Sequence, residues 1–316
     1  MSNLNVDDAN FKSERAVVQE EFRQSYAANP YGDLYLQTTI QGFSTHPYRR
    51  PVIGNIAELA AATVDDVRAF HKTYYRPDNA VLVVVGDFDP AQFDSYVDKY
   101  FGAVGKPATA IPRVMVKEPP RTKEKRVSIS APDVPLPAFS ATYLTPGVAD
   151  KDIPALDVLA NILGNGESSR LYRSLVYQKQ IASDVSVSPD SHQDAGLFTV
   201  LVTNAGGKTL DAVEPAALAE IEKLRKTSVT AAELAKAKNN LVDDVVRARE
   251  TVDGTANFLG SAALLYGDPE RINSELAAIN AVTAADVLRV AKEYLAPGNR
   301  TVIRYTTKQA TKEAAK

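Results

Sequence analysis

Residues 63–88, TVDDVRAFHKTYYRPDNAVLVVVGDF, have a counterpart 220 positions later in residues 283–307, TAADVLRVAKEYLAPGNRTVIRYTT. Thr63, Val67, Pro77 and Asn79 of the first stretch recur at this offset, without a gap, as Thr283, Val287, Pro297 and Asn299. Each copy has a threonine suited to capping a helix, apolar residues at helical spacing, a turn around proline and a β-rich run. This recurrence predicts an internal repeat containing a helix, a turn and a strand.

The sequence around this repeat predicts two units joined by a linker. After the run AVLVVVGDF, residues 90–101 have the spacing of an amphipathic helix, and residues 105–125 are rich in proline and lysine. We therefore expect a first unit over residues 1–105, a linker over 106–125 and a second unit over 126–316. The counterpart of position 126 falls before Met1, so the first unit is expected to lack about ninety N-terminal residues by the logic of whole repeats.

The second unit has a mixed α+β pattern. An alternating strand, RVSIS, is followed by the apolar helix PALDVLANILG, the turn GNGESS and another helix from Arg170. The runs ASDVSVSP and GLFTVLVT, separated by a polar segment, predict a hairpin. Helices are expected over residues 211–226 and 230–249, and GNGESS is interpreted as a turn because no strand leads into it.

Composition excludes several kinds of site. The 36 basic and 39 acidic residues give a net charge of -3, which offers no positive field for nucleic acid. The chain has no cysteine, so thiolate zinc sites and disulfides are excluded, and no apolar run has the length of a membrane span. His46, His71 and His192 are far apart in sequence, so we expect no self-contained histidine site and interpret the first two as structural or surface groups.

Two glutamates of the first predicted helix, residues 10–27, are the candidate metal ligands. Glu14 and Glu21 are seven residues apart and fall on one helical face. The plain interpretation is a solvated acidic face balanced by neighbouring arginines. However, the positions 220 residues later are Leu234 and Leu241, which suggests burial, and a buried carboxylate needs a cation, a metal or hydrogen bonds.

Three stretches together resemble the M16 (insulinase or pitrilysin-like) zinc metallopeptidase family, and specifically bacterial relatives of the mitochondrial processing peptidase β-subunit. They are ERAVVQEEFR from Glu14, HPYRRPVIGNIAELAAATVDDVRAFHKTYYRPDNAVLVVVGDFD from His46, and LGNGESSRLYRSL from Leu163. The resemblance implies an α+β fold of two repeated metallohydrolase-like α/β units, the first here missing its N-terminal part.

The resemblance also implies a zinc site formed by a His-x-x-Glu-His motif and a glutamate from a later helix. Glu21 matches that metal ligand, and Glu14 matches the glutamate that orients the ligands. The motif, which would supply the general base, does not occur in this sequence. We therefore expect no catalytic residue in this chain, zinc only if the histidine motif is supplied, and no peptide hydrolysis by the chain alone.

The family's substrate-contacting arginine and tyrosine are replaced at the matching positions by Val176 and Ser183. The resemblance then implies a peptide substrate and a second M16 subunit that supplies this pair, with self-association as the alternative. It favours a periplasmic or secreted location over the cytoplasm. A noncatalytic M16-like assembly or scaffold subunit stays open as the alternative function. Ser168 and Ser169 have no histidine or aspartate nearby in sequence to form a triad.

Overall fold

The computed structural model describes residues 4–308. These residues group into two compact units, one of residues 4–24, 52–115 and 246–272, and the other of residues 25–51, 116–245 and 273–308. The predicted domain boundaries at 105 and 126 stay predictions. No helix among the described residues combines the length and apolarity that crossing a membrane requires.

The larger unit is built on a five-stranded mixed sheet. Its strand order is β1-β5-β2-β4-β3, with β1 parallel to β5 and every other neighbouring pair antiparallel. The strands are β1 Lys125–Ala131, β2 Ala138–Pro146, β3 Ala182–Ser191, β4 Ala195–Asn204 and β5 Arg300–Thr307. The mixed α+β fold predicted from the sequence is confirmed, and so is the hairpin, which β3 and β4 form.

Eleven helices are assigned among the described residues. They are α1 Asp8–Phe22, α2 Gly32–Gly42, α3 Ile56–Ala61, α4 Val64–Tyr74, α5 Pro90–Phe101, α6 Ile153–Gly164, α7 Leu210–Lys226, α8 Ala231–Ala248, α9 Val252–Tyr266, α10 Arg271–Ala281 and α11 Ala284–Tyr294. A π-helical turn follows α1, and another covers Tyr172–Gln178.

The core of the larger unit lies between the sheet and helices α6, α7 and α11. Strands β2 and β4 contribute Phe139, Phe198 and Val200, each with no exposed surface, and α6 buries nine of its twelve residues. The opposite face of the sheet is covered near α2, where Leu34 packs with Ile303 and Tyr305 of β5. Burial on both faces is seen in β2, where the successive residues from Ala138 to Tyr143 are all buried.

The smaller unit is mainly helical, and most of its side chains are partly or fully exposed. Arg76 is an exception at 3% exposed. Its guanidinium binds the carboxylate of Asp78 and donates to the carbonyl oxygens of Pro107 and Thr109, at 2.8 and 2.7 Å. These bonds fix the irregular segment after α5 to the turn that follows α4.

The two predicted repeat segments have the same local structure. Thr63 caps α4 and Thr283 caps α11, each in a reciprocal capping box with an aspartate three residues on. Each helix is followed by a 3-10 turn beginning at proline, and the asparagine ending that turn donates back to the carbonyl of the helix's last tyrosine. This agreement is consistent with the predicted repeat.

The strand expected over AVLVVVGDF is a wrong prediction for the described residues. No strand is assigned between residues 80 and 88, whereas the matching run at 300–307 is the strand β5, paired on both sides. A strand is defined by hydrogen bonds to a neighbour, and residues 4–308 supply no neighbour to this run. Ala80 nevertheless has the extended conformation, with φ -137° and ψ 147°.

Candidate functional site

Helix α1, which contains both candidate glutamates, is positioned by contacts at its N-terminal half. The side chain of Asp7 accepts a hydrogen bond from the amide of Asn10 at 2.8 Å and so caps the helix. The guanidinium of Arg15 donates to the carbonyl oxygens of Ala60 and Ala62, at 3.3 and 3.2 Å. These bonds satisfy carbonyl groups at the C-terminal end of α3 and tie that end to α1.

Glu14 and Glu21 are both exposed, so the burial expected from their leucine counterparts is wrong within the described residues. Leu234 and Leu241 of α8 are partly buried against the core of the larger unit. Within residues 4–308 neither side-chain carboxylate has a hydrogen bond or an ion pair, unlike that of Glu20. With a rise of 1.5 Å per residue the two lie about 10 Å apart along the axis, where salt screens most of their repulsion.

Glu20, which lies between Glu14 and Glu21 in sequence, is hydrogen-bonded to neighbours on the same helix face. Its carboxylate accepts hydrogen bonds from Gln24 and Arg23, both at 3.0 Å, and these bonds lower the pKa of Glu20. The three glutamates of α1 therefore divide into one that is paired along the helix and two whose oxygens are available to a ligand.

The described residues do not make a zinc site by themselves. A catalytic zinc ion takes three protein ligands and a water, and no group of three His, Cys, Asp or Glu side chains within residues 4–308 is arranged to hold a metal. Glu21 supplies one ligand at most. A single exposed carboxylate binds zinc weakly, so any zinc site that uses Glu21 needs ligands from elsewhere.

Two of the three histidines come together in the larger unit, although they are far apart in sequence. The ring of Tyr48 lies between them, with its centroid 4.0 Å from that of His46 and 4.6 Å from that of His192. His46 is 1% exposed, and its Nε2 lies 3.4 Å from Oδ2 of Asp194. His192 is bound by Asp190 at 3.2 Å, and that hydrogen bond raises the pKa of His192.

The two ring nitrogens of His46 face different neighbours. Its Nδ1 accepts a hydrogen bond from the amide of Tyr48 at 3.2 Å, which leaves Nε2 directed towards the carboxylate of Asp194. No nucleophile or metal-ligand triad accompanies this arrangement among the described residues. The contacts with Asp194 and His192 join the HPYRR segment to the turn between β3 and β4, which agrees with the structural role predicted for His46.

A half-buried carboxylate, that of Glu118, also binds this segment. Glu118 accepts hydrogen bonds from the amides of Ser44, Thr45 and His46, at 2.6, 2.9 and 2.8 Å. Burial alone would raise its pKa, but these donors and the Ser44 hydroxyl hold the pKa of Glu118 at about 2. The carboxylate is thus ionised throughout the physiological range.

The GNGESS segment is a turn between two helices, as predicted, with Gly166 in the left-handed region at φ +74°. A cavity of about 30 Å³ lies beside it, lined in part by Asn161, Ser168 and Ser169. The hydroxyl of Ser169 is buried and has no hydrogen-bond partner within residues 4–308, whereas Ser168 accepts from Lys236. The volume suffices for ordered water between these groups.

The positions that match the family's arginine and tyrosine contain no charged group. Val176 is half-buried and packs against the core. Ser183 is exposed at a bulge in β3, where its hydroxyl donates to the carbonyl of Asn204 at 3.1 Å.

His71, the third histidine, stacks on Tyr75 with a centroid distance of 5.0 Å.

Comparison with known proteins places this geometry in a family. Residues 61–241 match the family model described as the peptidase M16 inactive domain. The zinc protease PqqE of Helicobacter pylori is 30% identical over 304 residues, covering 96% of this chain and 68% of the relative. A probable mitochondrial-processing peptidase subunit beta of Arabidopsis thaliana is 24% identical, covering 93% of this chain and 56% of the relative.

Among solved structures, a protease from Helicobacter pylori superposes with a TM-score of 0.91 at 30% identity. The match covers 96% of this chain and 74% of that one. This chain therefore spans about two thirds of the length of the Helicobacter pylori protease and little more than half that of the Arabidopsis protein.

Proposed function

The chain belongs to the M16 peptidase family, and on that premise we propose that it is the zinc-side subunit of a peptide-hydrolysing M16 enzyme. Glu21 is its contribution to the metal, and Glu14 orients the ligands around it. The remaining zinc ligands and the general base come from a His-x-x-Glu-His segment that this sequence does not contain. The chain alone is accordingly inactive.

The observation that supports this proposal best is the state of the two carboxylates. Glu14 and Glu21 project from one face of a helix whose N-terminal half is fixed by Asp7 and Arg15, and neither is used by the described residues. Glu20 differs from both, because it pairs with Arg23 one turn away on the same helix. The carboxylates of Glu14 and Glu21, unpaired on one face of this helix, are therefore free to bind a metal ion together with ligands from another segment.

Two further components belong to the proposal. Val176 and Ser183 offer no positive charge to a substrate, so we propose that a second M16 subunit supplies the arginine and tyrosine that contact the peptide. The name of the Arabidopsis relative describes that protein as a subunit, which is in keeping with a partnered enzyme. A periplasmic or secreted location is likewise proposed from the family resemblance.

A second candidate function is a noncatalytic M16 assembly subunit. The observation that favours it is that the matching family model is described as an inactive domain, although that model begins only at residue 61. A noncatalytic subunit has no use for Glu14 and Glu21, so the two functions make opposite predictions for substitutions in α1.

The test compares zinc content and peptide hydrolysis for two proteins. One is the chain as it stands, and the other is a chimera with the portion of the Helicobacter pylori protease that the match leaves uncovered. We expect stoichiometric zinc and chelator-sensitive hydrolysis only in the chimera. In that background Glu21→Gln is expected to lose zinc, while Glu20→Gln, one position away and paired with Arg23, is expected to retain it.

Each other outcome leads to a different conclusion. Stoichiometric zinc and hydrolysis by the unmodified chain would overturn the proposal, since the site would then be complete within it. Zinc in the chimera that survives Glu21→Gln would remove Glu21 from the site. Absence of zinc and activity from a chimera that folds, checked by circular dichroism, would favour the noncatalytic subunit.

A further inference from the structure

A basic segment leads into strand β1 of the larger unit. Residues 116–126, VKEPPRTKEKR, contain five basic and two acidic residues, although the whole chain is slightly acidic. One of the acids, Glu124, is already paired with two arginines. The other, Glu118, accepts hydrogen bonds from the backbone amides of residues 44–46. The segment therefore has more positive charges than carboxylates available to neutralise them.

Arg121, in the middle of this segment, is half-buried and held by backbone carbonyl groups. Its Nη2 donates to the carbonyl oxygen of Gly42 at 2.6 Å, and its Nη1 donates to that of Asn299 at 3.3 Å. Burial lowers the pKa of Arg121, because the positive charge is partly removed from water. The carbonyl groups fix the guanidinium in place without supplying a negative charge.

A second guanidinium, that of Arg49, binds the same stretch of backbone. Its Nη1 donates to the carbonyl oxygen of Ser44 at 3.2 Å. Gly42, which binds Arg121, is only two residues before Ser44, and two residues of backbone span at most about 7 Å. The two arginines are therefore anchored close together at the C-terminal end of α2.

Lys125 brings a third positive charge to this end of α2. It lies opposite Thr301 in the pairing of β1 with β5, and the hydroxyl of Thr301 donates to the carbonyl oxygen of Gln41 at 3.3 Å. Lys125 alternates along β1 with Val127 and Ile129, which pack against the core cluster that contains Leu34 of α2. The side chain of Lys125 therefore lies on the α2 side of the sheet.

These three cations repel one another without a paired carboxylate. Burial, followed by the charges of Arg121 and Arg49, lowers the pKa of Lys125. Within residues 4–308 none of the three is in an ion pair, unlike the nearby Arg126, which binds two glutamates. Glu118 is the acid that acts on Arg121, and its pKa of about 2 keeps it ionised. Three positive charges and this one negative charge leave a net charge of two.

The end of α2 accounts for only one of the three cations. A helix leaves carbonyl groups unsatisfied at its C-terminus, and a cation there is favourable. Arg121 meets that need through its bond to Gly42, the last residue of α2. Arg49 and Lys125 add repulsion, so their presence indicates that this corner binds an anion.

The basic corner lies in the unit whose repeat elements are all present. At the 220-residue offset, the residues expected before Met1 are counterparts of residues 126–220. The larger unit contains its own β1 to β4 over that range, together with most of α7. The repeat therefore predicts no further element for the larger unit that would neutralise these charges.

We propose that Arg49, Arg121 and Lys125 form a binding site for a phosphate dianion, either inorganic phosphate or a phosphate monoester. A phosphate group carries a charge of about −1.5 to −2 at pH 7, which matches the net charge of the corner. Guanidinium groups present planar pairs of N–H donors to phosphate oxygens, and the lysine adds a point charge. A singly charged anion would neutralise only half of the excess. This proposal does not rest on the peptidase function.

Calorimetric titration with sodium phosphate tests the proposal, with sodium chloride adjusted so that the ionic strength stays constant. We expect saturable binding at one site in the unmodified chain. Arg49→Gln and Lys125→Gln should each weaken it about tenfold or more, because a charged hydrogen-bond donor is lost. Both positions are exposed, so the variants should fold. Arg121 is left unchanged because its bonds to Gly42 and Asn299 support the fold.

Lys292→Gln, at an exposed position of α11, is the control for the loss of one positive charge and should bind phosphate as the unmodified chain does. A parallel titration with glycerol phosphate distinguishes the two sources of the dianion. Equal or tighter binding would identify a monoester as the ligand, and weaker binding would identify inorganic phosphate.

The thermal midpoint provides a second measurement. At constant ionic strength, phosphate should raise the midpoint of the unmodified chain until the site is saturated, and should raise that of the double variant Arg49→Gln/Lys125→Gln much less. Absence of saturable binding by the folded, unmodified chain would overturn the proposal. Full affinity in both single variants, or an equal loss in Lys292→Gln, would overturn it as well.

Discussion

The guanidinium of Arg289 donates two hydrogen bonds to the carboxylate of Asp152, at 2.8 and 2.7 Å. Asp152 immediately precedes α6 and is 3% exposed, and it also accepts a hydrogen bond from the hydroxyl of Tyr294 at 3.0 Å. Arg289 and Tyr294 both belong to α11. The pair therefore ties the start of one core helix to the length of another, across 137 residues of sequence.

Replacing this carboxylate should destabilise the larger unit. Asp152→Asn retains the shape of the side chain but removes the charge, leaving Arg289 without its main partner. We expect a loss of roughly 1–2 kcal/mol in the free energy of unfolding, measured by urea denaturation, since the carboxylate is buried although the guanidinium is 45% exposed. Glu293→Gln, which touches the same arginine only at 3.7 Å from an exposed position, should cost less than about 0.5 kcal/mol.

The Glu118 carboxylate should make the protein less stable in acid. Its folded pKa of about 2 lies below the value of about 4.3 expected in the unfolded chain. The stabilisation is therefore present above about pH 4 and is lost as the pH falls through the interval down to the folded pKa. Glu118→Gln should lower the free energy of unfolding by about 1–3 kcal/mol at pH 7, because it loses the charged acceptor of three amides.

The measurement for Glu118 is the urea midpoint of both proteins between pH 2 and pH 7. The difference between them should shrink as the pH falls. A difference that stays constant across this range would mean that the glutamine variant acts through packing rather than charge.

Local signals in the sequence predicted elements whose ends are set locally. The helix over residues 90–101 has the predicted bounds, since Asp89 caps it and Pro90 occupies its first turn. The capping threonines at 63 and 283 likewise gave the start of both repeat helices. These features depend only on residues within a few positions of each other.

Features that depend on distant residues were not predictable in this way. The strand expected at 80–88 has the right composition, but pairing requires a partner that the run itself cannot specify. The approach of Tyr48 to His192 joins positions 144 apart, and nothing in either segment signals it. Glu14 and Glu21 were expected to be buried because their counterparts are leucines, but burial depends on what packs against a helix face, not on the helix.

Asp157 should have the opposite pH dependence to Glu118. Burial, with a smaller contribution from Glu275, raises the pKa of Asp157 to about 7. A raised carboxyl pKa contributes stability below the unfolded value of about 3.9 and loses it as the pH rises through the folded value. Asp157→Asn removes the ionisable group, so the variant should be more stable than the unmodified chain at pH 8, by about 1 kcal/mol or more.

Urea unfolding at pH 5 and pH 8 checks this expectation. The advantage of Asp157→Asn should be larger at pH 8, while Asp184→Asn, at an exposed position of β3, should show no comparable change between the two conditions. If Asp157→Asn raised the free energy of unfolding equally at both pH values, its effect would not come from the ionisation of Asp157.

Close packing of α6 on β3 should make Gly164 intolerant of even a methyl group. A Cβ atom built at Gly164 would lie 2.2 Å from Cγ2 of Val187 and 3.0 Å from the backbone nitrogen of the same residue. Neither atom can withdraw far, because Val187 is part of a hydrogen-bonded strand. We expect Gly164→Ala to cost about 1–3 kcal/mol, the usual cost of overpacking, even though alanine favours the helix.

Gly206 provides the matched control, because a Cβ atom there meets nothing within 4 Å. Gly206→Ala should be neutral or stabilise the fold by up to about 1 kcal/mol through the reduced entropy of the unfolded chain. The measurement is the thermal unfolding midpoint of each variant, which should fall for Gly164→Ala and stay constant or rise for Gly206→Ala. If Gly164→Ala were as stable as Gly206→Ala, the end of α6 would have to shift away from β3 at little cost, and the contact with Val187 would not be a fixed feature of the core.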